Sequence, residues 1–150
     1  QARSWPHGIG ACPDGRLRAR LPPVSDPTDE VLLRIPARPE YGRIVRVGGA
    51  ALGMRQGLSF AEIDELRLAV DEAVILLLDG SNADGDTELV ATFRFDDGHL
   101  EVEIAADRTE ALRGDALARF HEVCSPLIDT YDLDSDRGWL RLRKAPAPVD

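Results

Sequence analysis

The sequence predicts an α+β fold, a two-layer sandwich with helices on one face of a mostly antiparallel sheet. Three observations carry that expectation. A helical period runs from Leu58 to Gly80, strand-like alternation lies on both sides of Asp97-Gly98, and a second alternating pair flanks the segment Asp134–Gly138. Helices and hairpins that fall in separate blocks, rather than in regular strand–helix alternation, stack as layers with the helices on one side. A chain of 150 residues has the length of one domain and buries a core without disulfide or metal staples.

In chain order, residues 1–30 read as a flexible N-terminal tail, because Pro6, Gly8, Gly10, Pro13, Pro22, Pro23 and Pro27 interrupt every period. His7 and Cys12 lie in it, and two potential ligands fall short of the four of a structural zinc site. The predicted domain spans residues 31–144. Val31–Ile35 is a short strand closed by Pro36. Pro39 opens a helix, where its missing N–H costs nothing. Tyr41, Ile44, Val45, Gly48 and Leu52 form that helix's apolar stripe, Gly48-Gly49 weakens it or lets another backbone approach closely, and Gly53 to Gly57 makes the turn that follows.

The central helix has a written start and stop. Ser59 and Glu62 match the S-x-x-E capping box, and Gly80 suits a left-handed stop. Ile63, Leu66, Val70, Ala73, Val74 and Leu77 share one face, with Glu62, Glu65 and Asp71 largely opposite. Glu72 breaks the pattern. It sits in a mostly apolar second half, so its carboxylate belongs either on a solvated edge or in a cleft.

Beyond the SNADGD loop, Glu88–Phe95 and His99–Ala106 form a hairpin across Asp97-Gly98, a pair that favours a tight turn. Leu100, Val102 and Ile104 are assigned to the core, and Glu101 and Glu103 to solvent. Asp107 to Asp115 is irregular. Ala116, Leu117, Phe120, Val123 and Cys124 mark a further amphipathic helix ending before Pro126. Leu127–Leu133 and Trp139–Arg143 make the last hairpin, and residues 145–150 form a C-terminal tail.

The net charge of −9 and pI near 4.8 argue against direct nucleic-acid binding. An acidic body suits a basic partner, although a solvated surface explains it as well. Cys12 and Cys124 make no disulfide scaffold and read as free thiols in a reducing cytoplasm. The longest wholly apolar run, Ala73–Leu78, is far too short to span a bilayer, and no membrane partner is expected. Asp132, Asp134 and Asp136 have the spacing of a calcium loop, but the glycine comes one place late and Arg143 stands where a bidentate glutamate belongs, so a hairpin turn is expected and no metal. His7, His99 and His121 have no recognisable nucleophile context.

From Val31 to Lys144 the element order, with PARPE (Pro36–Glu40), GLS (Gly57–Ser59), LRLAVDEA (Leu66–Ala73) and GWLRLRK (Gly138–Lys144), resembles one bacterial family. These are the anti-sigma factors and serine-protein kinases of stress-response and sporulation control, with the histidine-kinase-like (GHKL) ATPase domain and Bergerat fold. The resemblance implies an ATP site of three motifs, and the sequence departs from each. A glutamate base, matched by Glu72, should precede by four residues an asparagine that holds Mg²⁺. Residues four apart share a helix face, but Leu76 stands there without an oxygen. A strand should end in D-x-G-x-G, whose aspartate contacts adenine. Ala106 takes the aspartate position, Asp107 is one residue off, and Arg108 and Glu110 replace the glycines. Of the glycine-rich lid only Gly114 survives, and Ala116 stands in the other glycine's place.

The resemblance therefore implies a pseudokinase-like regulator in a partner-switching system. It would bind a sigma factor and an anti-anti-sigma antagonist, with the first helix, through exposed Tyr41, Arg43 and Arg46, as the candidate partner surface. An ordinary solvated helix face is the competing reading of those three residues. A homodimer fits the resemblance, and no cofactor is expected. The alternatives are an active ATP- and Mg-dependent serine-protein kinase, or a scaffold sensing another small molecule in the vestigial cleft. The chain around Asp107–Asp115 is expected to close that cleft.

Overall fold

A computed structural model describes residues 29–79, 87–108 and 110–149. The expected N-terminal tail, with His7 and Cys12, lies outside the described residues up to residue 28, and so do the SNADGD loop and the glycine stop at Gly80. Five strands, β1 (Glu30–Pro36), β2 (Glu88–Asp96), β3 (His99–Ala106), β4 (Thr130–Asp134) and β5 (Trp139–Lys144), form one antiparallel sheet in the order β1-β2-β3-β5-β4. Helices α1 (Gly42–Gln56), α2 (Phe60–Leu78) and α3 (Gly114–Cys124) cover one face. This is the predicted α+β two-layer sandwich.

Sheet register follows from alternation. Phe93 faces Val102, and Val102 faces Leu142, so one row of apolar side chains crosses three strands into the core. Asp97 and Gly98 both take positive φ, 46° and 76°, which matches the right-handed strand twist of a two-residue hairpin. On the other face Glu101 and Glu103 lie among arginines. Glu101 was expected in solvent but is buried, with Arg94 and Arg143 within 3.7 and 3.6 Å. Burial works against the charge of Arg94, yet Glu30 and Glu103 keep its pKa above the ordinary value.

The capping box of α2 is formed. Ser59 Oγ accepts from Glu62 N–H at 3.3 Å, and Glu62 Oε2 accepts from Ser59 N–H at 2.7 Å. All six predicted core positions on α2 are buried. The helix ends at Asp79, which is extended (ψ 123°) rather than left-handed.

Helix α1 differs from expectation in its buried face. Gly42, Val45, Gly49 and Gly53 are buried, whereas Ile44 is exposed and Tyr41, Gly48 and Leu52 are half-buried. A Cβ on Gly53 would sit 3.0 Å from Leu58 and 3.5 Å from Leu66. Close approach to α2 thus selects glycine, and the small residues turn the helix away from its larger hydrophobics. Gly53 is also helical, so the turn is Gly57 alone, at φ 93°. A 3-10 turn over Pro39–Tyr41 leads into α1 with proline in its first positions. The final hairpin starts at Thr130 rather than Leu127, because residues 125–129 form turns after α3. Asp134 Oδ1 accepts from the backbone of Asp136 and Arg137, which is the turn chemistry expected there.

Structure extends slightly past both expected boundaries. Asp29 pairs with Arg55 at 2.9 Å, and the N–H groups of Ala145 and Ala147 donate to Asp129 and Glu62 at 2.7 and 2.6 Å. Backbone hydrogen bonds from Ser59 and Ala147 hold the Glu62 carboxyl below its ordinary value of 4.5. A lowered native pKa gives stability that is present above the unfolded value and is lost as pH falls through the native one. Glu62→Ala should therefore lower the melting temperature at pH 7, and the gap from the parent should close on titration to pH 3. A gap that persists at low pH would show that Glu62 acts through packing instead.

Candidate functional site

Helix α2 carries Glu72 and Leu76 on adjacent turns toward α3. Helix α3 is seated on α2 by Phe120 and Cys124, both buried. Glu72 is buried, and its Oε1 accepts from Arg119 Nη2 at 3.1 Å. The arginine side chain is 64% exposed and the carboxylate side chain 10%, so the cation reaches in from the surface to an anion that is mostly covered. Leu76 is 2% exposed. Between the helices lies a cavity of about 240 Å³ lined by Glu72, Leu76, Arg113, Asp115, Ala116 and Phe120, among others. At the start of α3, burial raises the Asp115 carboxyl, but the Ala116 N–H and the Arg113 guanidinium, 2.7 Å away, bring it below the usual range.

The other nucleotide positions lie elsewhere. Ala106 ends β3, buried, with its N–H on Gly138 O at 3.0 Å. Asp107 is exposed just beyond it, and Gly114 is the exposed first residue of α3. None of the three lines the cavity. Arg108, where the family places a glycine, lies across the end of α2: its Nη1 donates to Leu77 O at 2.6 Å and its Nε to Glu110 O at 3.1 Å. A cation there satisfies a free carbonyl and complements the helix dipole. Gly138 makes room for it at φ 64°, since a Cβ would come within 2.6 Å of Arg108. Leu112 is buried, and its N–H donates to Ser135 O at 3.0 Å, which anchors the otherwise largely exposed segment after β3 to the β4–β5 turn.

The chemistry of this set is limited. Mg²⁺ requires oxygen ligands; Leu76 supplies none, and the Glu72 carboxylate is already in an ion pair. Among the described residues, no three His, Cys, Asp or Glu side chains converge to hold a metal. Cys124 is a free thiol whose pKa burial, helped by the charge of Glu72, pushes up to about 12. No helix among the described residues is long and apolar enough to cross a membrane.

A second concavity, of about 870 Å³, runs along the outer surface between the start of α1 and the second half of α2. Exposed Leu68 and Ile75 form part of its floor, and Arg43, Arg46 and Asp71 rim it. Of the three residues expected to be exposed at the start of this helical segment, only Arg43 is. Arg46 is half-buried with Nη1 2.8 Å from Asp71, and Tyr41 packs against the core and does not line the groove. Sequence reasoning missed Arg119, Arg108 and this groove. Leu68 and Ile75, seven apart on the polar side of α2, were the legible signal for the groove; nothing local pairs position 119 with position 72.

No family profile matches the chain. It is similar to curated bacterial proteins described as serine-protein kinase RsbW. Identity is 31% over 84 residues with the Oceanobacillus iheyensis protein, covering 55% of this chain and 52% of the relative. With that of Listeria monocytogenes it is 27% over 115 residues, covering 76% and 68%. With that of Listeria innocua it is 28% over 82 residues, covering 54% and 52%. The chain thus spans about half to two thirds of the length of these relatives.

Leu76→Asn should cost about 2–4 kcal/mol, from lost burial and an amide enclosed without a full set of partners. Chemical denaturation would measure it, and unchanged stability would mean that the side chain reaches water. In a Cys12→Ser background, Cys124 should resist alkylation at pH 8 until the protein unfolds. Rapid labelling of the native protein would contradict the burial of its thiol.

Proposed function

We propose that this chain is a regulatory binding module of the anti-sigma type, whose nucleotide chemistry has been lost. It holds a sigma factor, or an anti-anti-sigma antagonist, on its helical surface in the cytoplasm. The observation that carries the reading is the state of the Glu72 turn. A carboxylate paired with Arg119 and a buried Leu76 stand where the resemblance places a base and a magnesium ligand. The cavity between α2 and α3 that both residues line, about 240 Å³, is smaller than the roughly 300–1,000 Å³ of ordinary ligand clefts, and the larger groove that Glu72 also borders does not include Leu76 in its lining. The similarity to serine-protein kinases supports the family, and these residues favour binding over phosphoryl transfer.

The groove between α1 and α2 is the partner surface in this reading. Its apolar floor and charged rim suit the apolar face of a partner helix, with Arg43 at its edge. The runner-up, an active ATP-dependent serine kinase, keeps one point in its favour, the glutamate at position 72.

Two measurements separate the readings. Titration calorimetry with Mg-ATP should show no binding; a micromolar dissociation constant would overturn the loss of nucleotide chemistry. Co-purification with each sigma factor and antagonist of the host should capture one of them equally with and without ATP, and Arg43→Glu should reduce capture by about tenfold. Failure to capture any, or transfer of phosphate to a serine of the antagonist, would reject the proposal.

A further inference from the structure

Among the described residues β1 pairs with β2 alone, and its other side is open. Val31 there is 40% exposed and Leu32 36%. Folds usually blunt an apolar edge with charge, proline or a covering segment.

Backbone and side chains alternate along this edge. Ala37 N–H donates to Thr87 O at 2.9 Å, one step beyond the β1–β2 register. Bonded positions alternate in an antiparallel pair, so Val31, Leu33 and Ile35 bond β2, while Glu30, Leu32 and Arg34 turn N–H and C=O to the open side. Val31 and Leu33, opposite buried Phe93 and Ala91, face the helices, and Glu30, Leu32 and Arg34 stand on the outer face. A Cβ on Gly48 of α1 would lie 3.4 Å from Leu33, and exposed Ile44 and Ala51 extend that row of α1.

The sequence upstream carries the complementary pattern. Between Gly15 and Pro22 runs Arg16-Leu17-Arg18-Ala19-Arg20-Leu21, which has neither proline nor glycine and alternates cation with apolar residue throughout. Such alternation suits a strand with one face covered and one wet. Pro22, Pro23, Ser25, Asp26 and Pro27 follow, the composition of a turn.

We infer that the free edge of β1 is the docking site of the chain's own segment Arg16–Leu21, added antiparallel as a further strand. Chain length sets the direction. With Arg20 opposite Glu30, only residues 21–29 connect the two, and a parallel neighbour needs a crossover of a dozen residues or more. Patterning sets the register. Arg20, Arg18 and Arg16 fall opposite Glu30, Leu32 and Arg34 on the outer face, and Ala19 and Leu17 fall beside Val31 and Leu33, below Ile44 and Ala51. A slip of one residue would drive the arginines under α1. Glu30 holds Arg94 through one oxygen, Oε2, at 2.6 Å, and Arg20 brings it a second cation. Glu88, 3.6 Å from Arg34, offsets the approach of Arg16.

The other open edge, β4, suits the segment less. A strand beyond β4 would lie five strand spacings, about 24 Å, from β1, close to the full reach of about 28 Å between Leu21 and Asp29. Asp132 there is already paired with Arg141 at 2.9 Å. Docked on β1, the segment shields that edge from strand addition by any other chain.

Amide exchange of the full chain tests this. The N–H groups of Leu32 and Arg34 should exchange about tenfold more slowly in the parent than in Arg18→Pro, which removes a donor from the middle of the segment and alters no residue of the described domain. Leu33 N–H, bonded to β2, should stay protected in both, which shows that the fold is retained. The parent rates should not depend on protein concentration. Glu30→Arg should speed exchange at Leu32 and Arg34, and adding Arg20→Glu should slow it again. Equal exchange in the parent and Arg18→Pro, or a double variant no better than Glu30→Arg, would overturn the inference. So would protection that grows with protein concentration, which would mean that a second copy covers the edge, and so would an Arg18→Pro effect confined to the amides of β4.

Discussion

Burial of α2 is the constraint on which the rest of the structure depends. The helix touches α1, α3 and the core face of the sheet. Its covered faces are apolar except for Glu72, which is buried among them. Burying a lone carboxylate is costly, and a hydrogen-bonded cation offsets much of that cost. Arg119 fills that role from α3, which Phe120 and Cys124 already seat on α2. The pair is half in water, so its contribution to stability is modest.

The two ends of α2 are finished by different means. At the start, Ser59 and Glu62 are local, and they also receive Ala147 from the end of the described chain. At the other end Asp79 N–H bonds back to Ile75 O and Leu76 O, and Arg108 arrives from the loop after β3 to bond Leu77 O. Glycine at position 108 would leave that carbonyl without its cation. Arg108 and Leu76 each take up structural work in the space they occupy, and together they make the region around α2 a packed one.

Surface chemistry divides accordingly. The outer face of the sheet is a charged network, in which Glu30, Arg94, Glu101 and Arg143 lie along one row of cross-strand neighbours. Charges satisfied among themselves leave little for a partner to pair with. The apolar exposed surface gathers instead on the helical side, along the α1–α2 groove and the β1 edge.

What the sequence determined on its own is whatever depends on neighbours within a few residues. The order of elements, the capping box, the Asp97-Gly98 turn, the apolar face of α2 and the His99–Ala106 strand were all legible, because period and turn chemistry are local. Tertiary structure alone decided which face of α1 is buried, because glycine gives no hydrophobic signal and its selection depends on how closely α2 approaches. It alone decided that Glu101 is covered, since Arg94 and Arg143 come from other strands, and that Glu72 meets Arg119 across 47 residues of chain. Contacts of that span follow from the packing of whole elements, and no window along the chain contains both partners.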